Sequence, residues 1–394
     1  MKILHVIPSV GPLRGGPSFV MRTMSEGLAA QGCEVDVATT DDNGPERLSV
    51  PLEKPVRENG VTYRYFRRQI YFYTISWPLS QWLRKNVAGY DLLHIHALFS
   101  FSVASAAWWA SHYRVPYVVR PLGTLNRWGM ENRRPWLKQA SLRLIDGRVL
   151  SGAAAVHYTS QEEQEEGAMA AAVARPVIIP NPVDFQFDRD RLPGGWLRSR
   201  YPAIAGKRIV LFLSRLHPKK GLDLLLAAFA RVRAQVRDVA LVLGGAGEKD
   251  FVERLRRQAR ELGLEPDIVW AGFLEGDSKK AAMADADIFV LPSYSENFGV
   301  AAVEAMAAGL PVIVSDQVGI HRRIAEANAG LVVSCQEEAL TGALLRLLDA
   351  PSLRCQMAQS GRELAQTFSP SAVSRQLMEL YSSLTVPAGA ISAA

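Results

Sequence analysis

The chain has 394 residues, of which 48% are hydrophobic and 21% charged, and a formal net charge of +6. This length and apolar content suffice for two domains with buried cores, and three scattered cysteines without ligand-like spacing favour a reducing, cytoplasmic compartment over a disulfide scaffold. The modest positive charge does not favour nucleic acid as a partner, but it suits an anionic small molecule or an anionic membrane surface.

The first half of the chain alternates short apolar runs with helical periodicity. Its opening run, MKILHVIPSV, is too short for a secretory signal and predicts a buried strand. No window reaches the roughly 18 apolar residues of a membrane span, so the run at 97–110 predicts part of a buried helix. Strands are predicted at 1–8, 33–40, 91–98, 116–123, 153–160 and 176–184, and helices at 17–32 and 99–112.

The second half repeats the alternation after a segment near residues 181–195 that is rich in Pro, Asp and Gly and predicts a linker. A Ser-capped amphipathic pattern predicts a last helix at 371–385, and the small residues of 386–394 predict a disordered tail. Strands are predicted at 208–215, 239–247, 267–272, 287–293, 311–316 and 330–334, and helices at 221–236, 249–262, 278–285 and 299–308.

Strands that alternate with helices of this kind predict parallel sheets with right-handed crossovers. The predicted fold class is therefore α/β, with two doubly wound parallel-sheet domains at 1–185 and 186–370. Ligands of such sheets bind at the carboxyl ends of the strands, beside helix N-termini. Two domains that face each other would form a central cleft, which is where we expect the substrate pocket.

The segment FLSRLHPKKGLDLLLAAF at 212–229 places cationic residues between a strand and a helix. Arg215 lies in the loop, and Lys219 and Lys220 precede the helix. Arg offers a planar fork, Lys a point charge and the helix N-terminus free N–H groups, which together suit a diphosphate. The alternative is a solvated basic surface, and these residues alone do not decide between the two.

Two glycine-rich turns follow the same strand–turn–helix order. In LVLGGAGEKDF, at 241–251, glycines including Gly245 allow the backbone to approach a ligand closely. In IPSVGPLRGGPSFVMRT, at 7–23, Gly15 and Gly16 precede a helix whose free amides could hold a phosphate or a sugar hydroxyl. The alternatives are a tight connection in the first turn and a flexible loop in the second.

The segment SENFGVAAVEAMAAGLPVI, at 295–313, carries two carboxylates, with Glu296 in a loop and Glu304 on the second turn of a helix that starts at Gly299. Such a loop carboxylate can accept hydrogen bonds from sugar hydroxyls, and the helical one can hold both hydroxyls of a ribose. The amides of Phe298 and Gly299 are predicted to point into the cleft, with the helix dipole behind them.

Two other interpretations of these carboxylates are weaker. A glycosidase places its acid pair across the scissile bond, usually from separate segments of the chain. A solvent-facing charge at Glu304 conflicts with the alanine-rich helix around it, which is predicted to be buried. An unpaired buried Glu would be costly.

Taken together, SRLHPKKG, GGAGE and SYSENFGVAAVEAMAAGLPVIVSD, with DLLHIHA and IPNPVD upstream, resemble the retaining GT-B glycosyltransferases of family 4 over nearly the whole chain. The most specific part is the E-x7-E pattern of Glu296 and Glu304, followed by GLPVIVSD. The resemblance implies a GT-B fold, in which two Rossmann-like domains face a central cleft and the helix at 371–385 packs back on the N-terminal domain.

The resemblance also implies the chemistry and the roles of the site residues. A sugar would move from a nucleotide-diphosphate donor, expected to be a UDP- or GDP-sugar, without a cofactor or a metal. Arg215 and Lys220 would bind the diphosphate, Glu296 the donor sugar and Glu304 the ribose, and Arg215, Lys220 and Glu296 would be the catalytic residues. Donor binding would involve Gly15, Gly16, Gly245, Phe298, Gly299, Val300 and Glu304.

One position departs from the family pattern. Members often carry a His before the Gly that ends the run VVRPLG, but this chain has Leu122 there, with Arg120 two residues earlier. The family's His contact is therefore in doubt. His96 in HIHA is the nearest substitute, although local packing within its strand would also explain it.

Two further groups suggest metal binding but have simpler interpretations. The D-x-D patterns Asp285-Ala-Asp287 and Asp188-Arg-Asp190 are typical of metal-dependent transferases of another fold, and we interpret both as structural. His94 and His96 share a strand face, but no third ligand lies nearby in sequence. We therefore predict no metal.

Two segments of the acceptor domain, at 63–86 and 126–150, interleave aromatic residues with Arg and Lys. Such a composition suits a basic amphipathic surface on an anionic membrane. The hypothesis is a peripheral enzyme on the inner face of the cell membrane that glycosylates a saccharide or a lipid-linked saccharide in cell-surface polysaccharide assembly. The alternative is that the aromatic side chains belong to the core while the basic ones only cover apolar surface.

Two rival functions remain open at this point. One is a sugar-nucleotide epimerase of the same fold. The other is a non-catalytic protein that binds a nucleotide-sugar, which the departure at Leu122 would allow.

Overall fold

A computed structural model describes residues 1–132, 134–171, 173, 175–185 and 195–385. Asp188, Asp190, most of the predicted linker and the predicted tail at 386–394 lie outside the described residues. The chain divides into two compact units, Phe185–Phe368 and a unit that joins Met1–Asp184 to the segment from Ser369 onward. Both are α/β units with a mainly parallel sheet, as the sequence predicted.

The N-terminal unit contains an eight-stranded sheet in the order β10-β9-β8-β7-β1-β2-β6-β5, in which only β5 runs antiparallel to its neighbour. Its strands are β1 (Lys2–Ser9), β2 (Glu34–Thr40), β5 (Pro55–Glu58), β6 (Val61–Phe66), β7 (Leu92–His96), β8 (Tyr117–Arg120), β9 (Ala155–Tyr158) and β10 (Pro176–Ile178). Two short strands, β3 (Asp42–Asn43) and β4 (Glu46–Arg47), pair with each other in a separate sheet. The helices are α1 (Gly16–Ala30), α2 (Trp77–Asn86), α3 (Phe101–Tyr113), α4 (Arg127–Asn132), α5 (Pro135–Ser141), α6 (Gly147–Ser151) and α7 (Gln161–Ala170).

The C-terminal unit contains a six-stranded parallel sheet in the order β13-β12-β11-β14-β15-β16. The strands are β11 (Arg208–Leu213), β12 (Val239–Gly244), β13 (Ile268–Gly272), β14 (Ile288–Leu291), β15 (Val312–Ser315) and β16 (Gly330–Val333). The helices are α8 (Trp196–Arg200), α9 (Leu222–Gln235), α10 (Lys249–Glu261), α11 (Gly276–Asp285), α12 (Val300–Ala307), α13 (His321–Glu326), α14 (Glu337–Asp349) and α15 (Pro351–Gln366).

The last helix, α16 (Pro370–Thr385), packs against α1 in the N-terminal unit. Val373, Leu377 and Tyr381 of α16 are fully buried and belong to the same apolar cluster as residues of β1 and α1. The approach is close, because a Cβ added to Gly27 of α1 would lie 2.4 Å from the hydroxyl oxygen of Ser374. The N-terminal core is therefore completed by the last helix of the chain.

Each predicted strand and helix overlaps an observed element, although the strand predicted at 176–184 already ends at Ile178. The hairpin of β5 and β6 was missed. Its sequence carries a strong signal, Asn59-Gly60 between two runs that form strands. Both turn residues have the positive φ angles, 48° and 81°, that this dipeptide tolerates. The hairpin also corrects part of the membrane hypothesis, since Tyr63, Tyr65 and Phe66 of β6 are core residues.

Four buried histidines form a layer on the face of the N-terminal sheet that α16 covers. The strand register places His5 opposite His94 and His96 opposite Arg120. His157 on β9 joins them, and all four rings have 0% exposure. Polar groups in such a place must find partners within the protein.

A chain of hydrogen bonds accounts for the neutral rings of His94 and His157. The hydroxyl group of Tyr381 donates a hydrogen bond to Nδ1 of His94 at 2.6 Å. The neutral His94 ring then carries its proton on Nε2, which donates to Nδ1 of His157 at 3.3 Å. Nε2 of His157 then donates to the carbonyl of Ile179 at 2.7 Å. Burial, reinforced by the positive charge of Arg120, lowers the pKa of both His5 and His157 to about 3.

These neutral histidines predict a loss of stability in mild acid. An unfolded histidine takes a proton below pH ~6.5 and the folded rings do not, so the free energy of unfolding falls as the pH drops from ~6.5 toward 3. Each such histidine contributes a slope of about 1.4 kcal/mol per pH unit in that window. Urea unfolding followed by tryptophan fluorescence at pH 7, 6 and 5 measures the slope.

The matched variants are His157→Gln and His112→Gln, the latter at an exposed position of α3. We expect His157→Gln to reduce the slope by about 1.4 kcal/mol per pH unit and His112→Gln to leave it unchanged. Equal slopes in the wild type and His157→Gln would contradict the neutral-histidine account.

Candidate functional site

The carboxyl ends of β11 and β14 lie side by side where the order of the C-terminal sheet reverses. β12 and β13 continue on one side of β11, and β15 and β16 on the other side of β14. In doubly wound sheets a ligand crevice forms at this point, because the two connections leave toward opposite faces of the sheet. The loops concerned are residues 214–221, after β11, and residues 292–299, after β14.

Lys220 and Glu296 form an ion pair between these two loops. Their side chains are 13% and 21% exposed, so the pair is largely shielded from water but still accessible. The backbone of Glu296 is fixed on both sides, since its N–H donates to the carbonyl of Gln317 at 3.0 Å and its carbonyl accepts from Gly319 at 2.9 Å. Two predicted site residues, 76 positions apart, thus lie in direct contact.

The two loops approach each other closely at Gly221. Its φ is +66°, and a Cβ at this position would lie 2.0 Å from the carbonyl oxygen of Pro292. The N–H of Tyr294 donates to the carbonyl of Lys219 at 2.7 Å and ties the loops together. The tyrosine stays protonated, because burial, together with Asp223, raises the pKa of Tyr294 to about 12.

Arg215 lies in the same loop as Lys220 and is exposed. Within the described part of the chain, no carboxylate forms an ion pair with its guanidinium. An exposed guanidinium at the carboxyl end of a strand is available to a phosphate or a carboxylate of a ligand.

Gly245 brings the loop after β12 against the loop after β11. A Cβ on this residue, whose φ is +150°, would lie 1.8 Å from the carbonyl oxygen of Ser214. The N–H of Gly245 donates to the carbonyl of Gly272 at 2.7 Å. Gly245 also lines a cavity of about 290 Å³, together with Trp270 and Arg256. The guanidinium of Arg256 lies over the Trp270 ring, 5.0 Å from its centroid.

Helix α12 starts directly behind Glu296. Gly299 precedes it with φ +105°, where a Cβ would lie 2.7 Å from a methyl group of Val318, and Val300 is its first residue. Phe298 is 2% exposed and packs its ring edge-on against Phe368, with 5.6 Å between centroids. This packing fixes the turn before α12. The groups that the segment offers to a ligand are therefore the N–H groups of the first helical turn.

Glu304, on the second turn of α12, is held by Lys279 of α11. The ammonium lies 2.6 Å from Oε1 of Glu304, whose side chain is 15% exposed. The sequence indicated that a carboxylate here needs a partner but did not identify it. Nothing in the local pattern links two residues on different helices, so Lys279 is a site residue that the sequence interpretation missed.

Gly15 and Gly16 lie in the N-terminal unit, at the start of α1. Gly15 has φ +73°, and a Cβ added to either residue would meet no atom within 4 Å. The loop that leads to them follows β1, which with β7 forms the point where the order of the N-terminal sheet reverses. Their backbone is thus open to a ligand at the carboxyl edge of that sheet.

Leu122 and His96 lie in the same unit, after β8 and at the end of β7. Leu122 adopts a positive φ of 59°. His96 is 0% exposed and its Nε2 is 2.9 Å from Nδ1 of His5. This placement favours local packing of His96 over direct contact with a substrate.

The described D-x-D pattern has a structural role. Asp285 accepts hydrogen bonds from the N–H groups of Gly195 and Leu197, and Asp287 accepts one from Ile209 at 2.8 Å. These carboxylates organise the start of α8 and the first strand of the C-terminal unit, as the sequence interpretation held.

A third imidazole does approach the pair His94 and His96. His5 comes from β1, so that one ligand nitrogen from each ring lies within 4.8 Å of the others. Sequence spacing could not show this, because strand pairing creates the proximity. The positive, fully buried Arg120 beside His96 would repel a cation in this low-dielectric interior, so the absence of a metal stays our prediction.

Comparison with known proteins decides the family. The family model described as "Glycosyltransferase Family 4" matches residues 14–187, and the one described as "Glycosyl transferases group 1" matches residues 197–364. The chain is a family 4 glycosyltransferase. Neither rival function, an epimerase or a non-catalytic binding protein, finds support in these comparisons.

Relatives and solved structures resemble this glycosyltransferase along its whole length. A phosphatidyl-myo-inositol mannosyltransferase of Mycobacterium leprae is 29% identical, with 100% of both chains covered. A D-inositol 3-phosphate glycosyltransferase of Corynebacterium efficiens is 28% identical over 96% of this chain and 92% of its own. The structure of HepE of Anabaena, solved with UDP and glucose, superposes with a TM-score of 0.75 at 22% identity. The superposition covers 97% of this chain and 100% of that of HepE, and it confirms the GT-B fold.

Among the residues that the structure describes, we find no helix whose length and hydropathy would allow it to cross a bilayer.

The packing of Gly245 predicts a strong effect of one methyl group. Gly245→Ala would force both a strained φ and a clash with Ser214, and should lower the free energy of unfolding by more than about 1 kcal/mol. Gly342→Ala, at an exposed position of α14 with open space around the new Cβ, should instead raise it by about 0.5–1 kcal/mol. Urea unfolding of both variants tests this, and a neutral Gly245→Ala would contradict the close approach.

Proposed function

We propose that this glycosyltransferase transfers a sugar from a nucleotide-diphosphate donor with retention of configuration and without a metal. The observation that carries the proposal is the Lys220–Glu296 ion pair at the switch point of the C-terminal sheet. Beside it lie an exposed arginine, Arg215, and a second carboxylate, Glu304, on the helix that starts there. Cations at the end of a strand suit a diphosphate. Carboxylates suit the hydroxyl groups of the sugar and of the ribose, which are attached to the two ends of the diphosphate.

The contact between Lys220 and Glu296 matches the geometry of such a donor. The sugar is bonded directly to the terminal phosphate, so the group that binds this phosphate must lie next to the group that binds the sugar. Lys220 then takes the phosphate, Glu296 accepts from sugar hydroxyls, and Glu304 accepts from the ribose at the other end of the diphosphate.

In the reaction, the bond between the anomeric carbon and the phosphate oxygen breaks, and its electron pair remains on the diphosphate. An acceptor hydroxyl oxygen bonds to the anomeric carbon on the same face, and its proton passes to the departing phosphate oxygen. Negative charge therefore grows on the diphosphate during bond cleavage. Lys220, Arg215 and the amides at the start of α12 are placed to stabilise this charge.

The acceptor is proposed to be a saccharide or a lipid-linked saccharide used in cell-surface polysaccharide assembly. Two of the relatives are named for transfer to phosphatidyl-myo-inositol and to D-inositol 3-phosphate, which are polyol acceptors that carry a phosphate. A lipid-linked acceptor requires the enzyme to work at a membrane surface, which suits a location on the inner face of the cell membrane.

An aromatic-basic surface on the N-terminal unit supports this part of the proposal. We use this name for Tyr71, Phe72, Trp77, Trp136 and Leu144, whose exposures lie between 51% and 69%, and the cations around them. Arg134 stacks on Phe72 at 5.7 Å, and Tyr73 meets Ser141 at 2.8 Å, so the two segments that the sequence singled out are joined. Aromatic rings mixed with cations suit an anionic bilayer interface.

Removal of either diphosphate-binding cation should reduce turnover. We expect Arg215→Ala or Lys220→Ala to lower kcat by roughly 100-fold or more, the usual effect of losing one preorganised donor at a developing charge. Release of nucleoside diphosphate in the presence of an acceptor measures kcat. Arg237→Ala, which removes an exposed charge elsewhere in the C-terminal unit, is the control, and near-normal turnover in both site variants would refute the assignment.

The membrane hypothesis predicts binding to anionic lipid. The wild type should sediment with vesicles that contain phosphatidylglycerol and not with pure phosphatidylcholine vesicles, and Trp136→Ala should reduce the bound fraction severalfold. Phe273→Ala is the matched control, because this ring is also 69% exposed but lies on the C-terminal unit. Equal, negligible binding of the wild type to both vesicle types would exclude a membrane surface as partner.

A further inference from the structure

The pair of Lys279 and Glu304 has no explanation in the chemistry derived above. Its atoms are 2.6 Å apart, and the side chains of Lys279 and Glu304 are 32% and 15% exposed. Lys279 lies near the start of α11, whereas Lys220 and Glu296 lie in the loops that follow β11 and β14. A partly exposed ion pair of this kind adds little to stability, so its placement at Glu304 calls for another reason.

The geometry leaves most of the Glu304 carboxylate available. Lys279 donates to Oε1, and no other side chain in the described ranges forms a hydrogen bond or ion pair with this carboxylate. A carboxylate has about four acceptor positions on its two oxygens, so one donor from Lys279 leaves room for two hydroxyl groups. The lysine therefore fixes the orientation of the carboxylate without blocking it.

We propose that Lys279 is a positioning residue that sets the selectivity of Glu304 for a ribose over a deoxyribose nucleotide. This inference rests on the proposed function, in which Glu304 binds the two ribose hydroxyls. A glutamate side chain has three rotatable bonds, and a donor that binds it must restrict them. Lys279 restricts them in advance, so that both oxygens are already directed at the diol.

In the C-terminal unit, a lysine thus holds each of the two carboxylates that bind the ends of the donor. Glu296 is held by Lys220 and Glu304 by Lys279, while Arg215 has no carboxylate partner in the described chain. Lys220 must also serve the phosphate, whereas the ammonium of Lys279 pairs with Glu304 alone among the described side chains. Loss of Lys279 should therefore affect recognition of the ribose and leave the chemical step intact.

The test compares the affinity of full-length protein for UDP, GDP and ADP with that for their 2′-deoxy counterparts, measured by calorimetry. The variants are Lys279→Met, which keeps the apolar stem, and Lys280→Met, which removes the same charge one position along α11 without contact to Glu304. Glu304→Gln reports the loss of the carboxylate charge itself. Thermal unfolding of each variant checks that the fold is intact.

For the nucleotide that the wild type binds, we expect the ribose form to bind about 10-fold more tightly than the deoxy form, as for one hydrogen bond to a charged group. Lys279→Met should reduce this ratio to about threefold or less by weakening the ribose form, and Lys280→Met should keep it. In the double variant with Glu304→Gln, removal of Lys279 should have no further effect on the ratio, because both residues act on the same hydroxyls.

Two negative results have different meanings. If the wild type discriminates but Lys279→Met keeps the full ratio, or weakens both forms equally, the positioning role is wrong and the proposed function stands. If the wild type binds none of the six nucleotides, or does not distinguish ribose from deoxyribose, the assignment of Glu304 in the proposed function fails and the inference fails with it.

Discussion

The ion pair between Lys220 and Glu296 is the contact on which the arrangement of the site depends. It requires the loops after β11 and β14 to meet, and the strand order achieves this by making these strands neighbours although they are separated along the chain by β12 and β13. Glycine at 221 permits the approach, since any side chain there would collide with Pro292. The chemistry of the site therefore follows from backbone packing at one edge of one sheet.

The histidines of the N-terminal unit and the charged pairs of the C-terminal site are stabilised in different ways. In the N-terminal unit, His94 and His157 remain neutral because hydrogen bonds from Tyr381 through to the carbonyl of Ile179 satisfy them in that form. In the C-terminal unit, the Lys220–Glu296 pair lies in the loops after two strands and the Lys279–Glu304 pair lies on two helices, where partial exposure limits the cost of desolvation. A binding site for an anionic donor needs the second arrangement, because only groups that retain their charge can neutralise a phosphate.

Sequence patterns predicted the fold and most of the candidate site because both depend on local order. The strand–turn–helix sequence around Lys220 and Glu296 identifies residues at the carboxyl ends of strands, and topology then brings them together. Lys279 and His5 escaped prediction for the reason that their partners lie on other elements, at distances along the chain that no periodicity encodes. The Asn59-Gly60 hairpin is a different case, because this dipeptide is a local turn signal from which the hairpin could have been predicted.

The return of α16 to the first unit has a consequence for biosynthesis. The ribosome makes the N-terminal sheet first but supplies Val373, Leu377 and Tyr381 only after the whole C-terminal unit has been translated. Until then the sheet presents uncovered apolar and imidazole groups, while the intervening unit already has every strand of its own sheet. Nascent chains of this enzyme should therefore need protection from aggregation until α16 has been made, and the unit that emerges second is the one that can finish folding first.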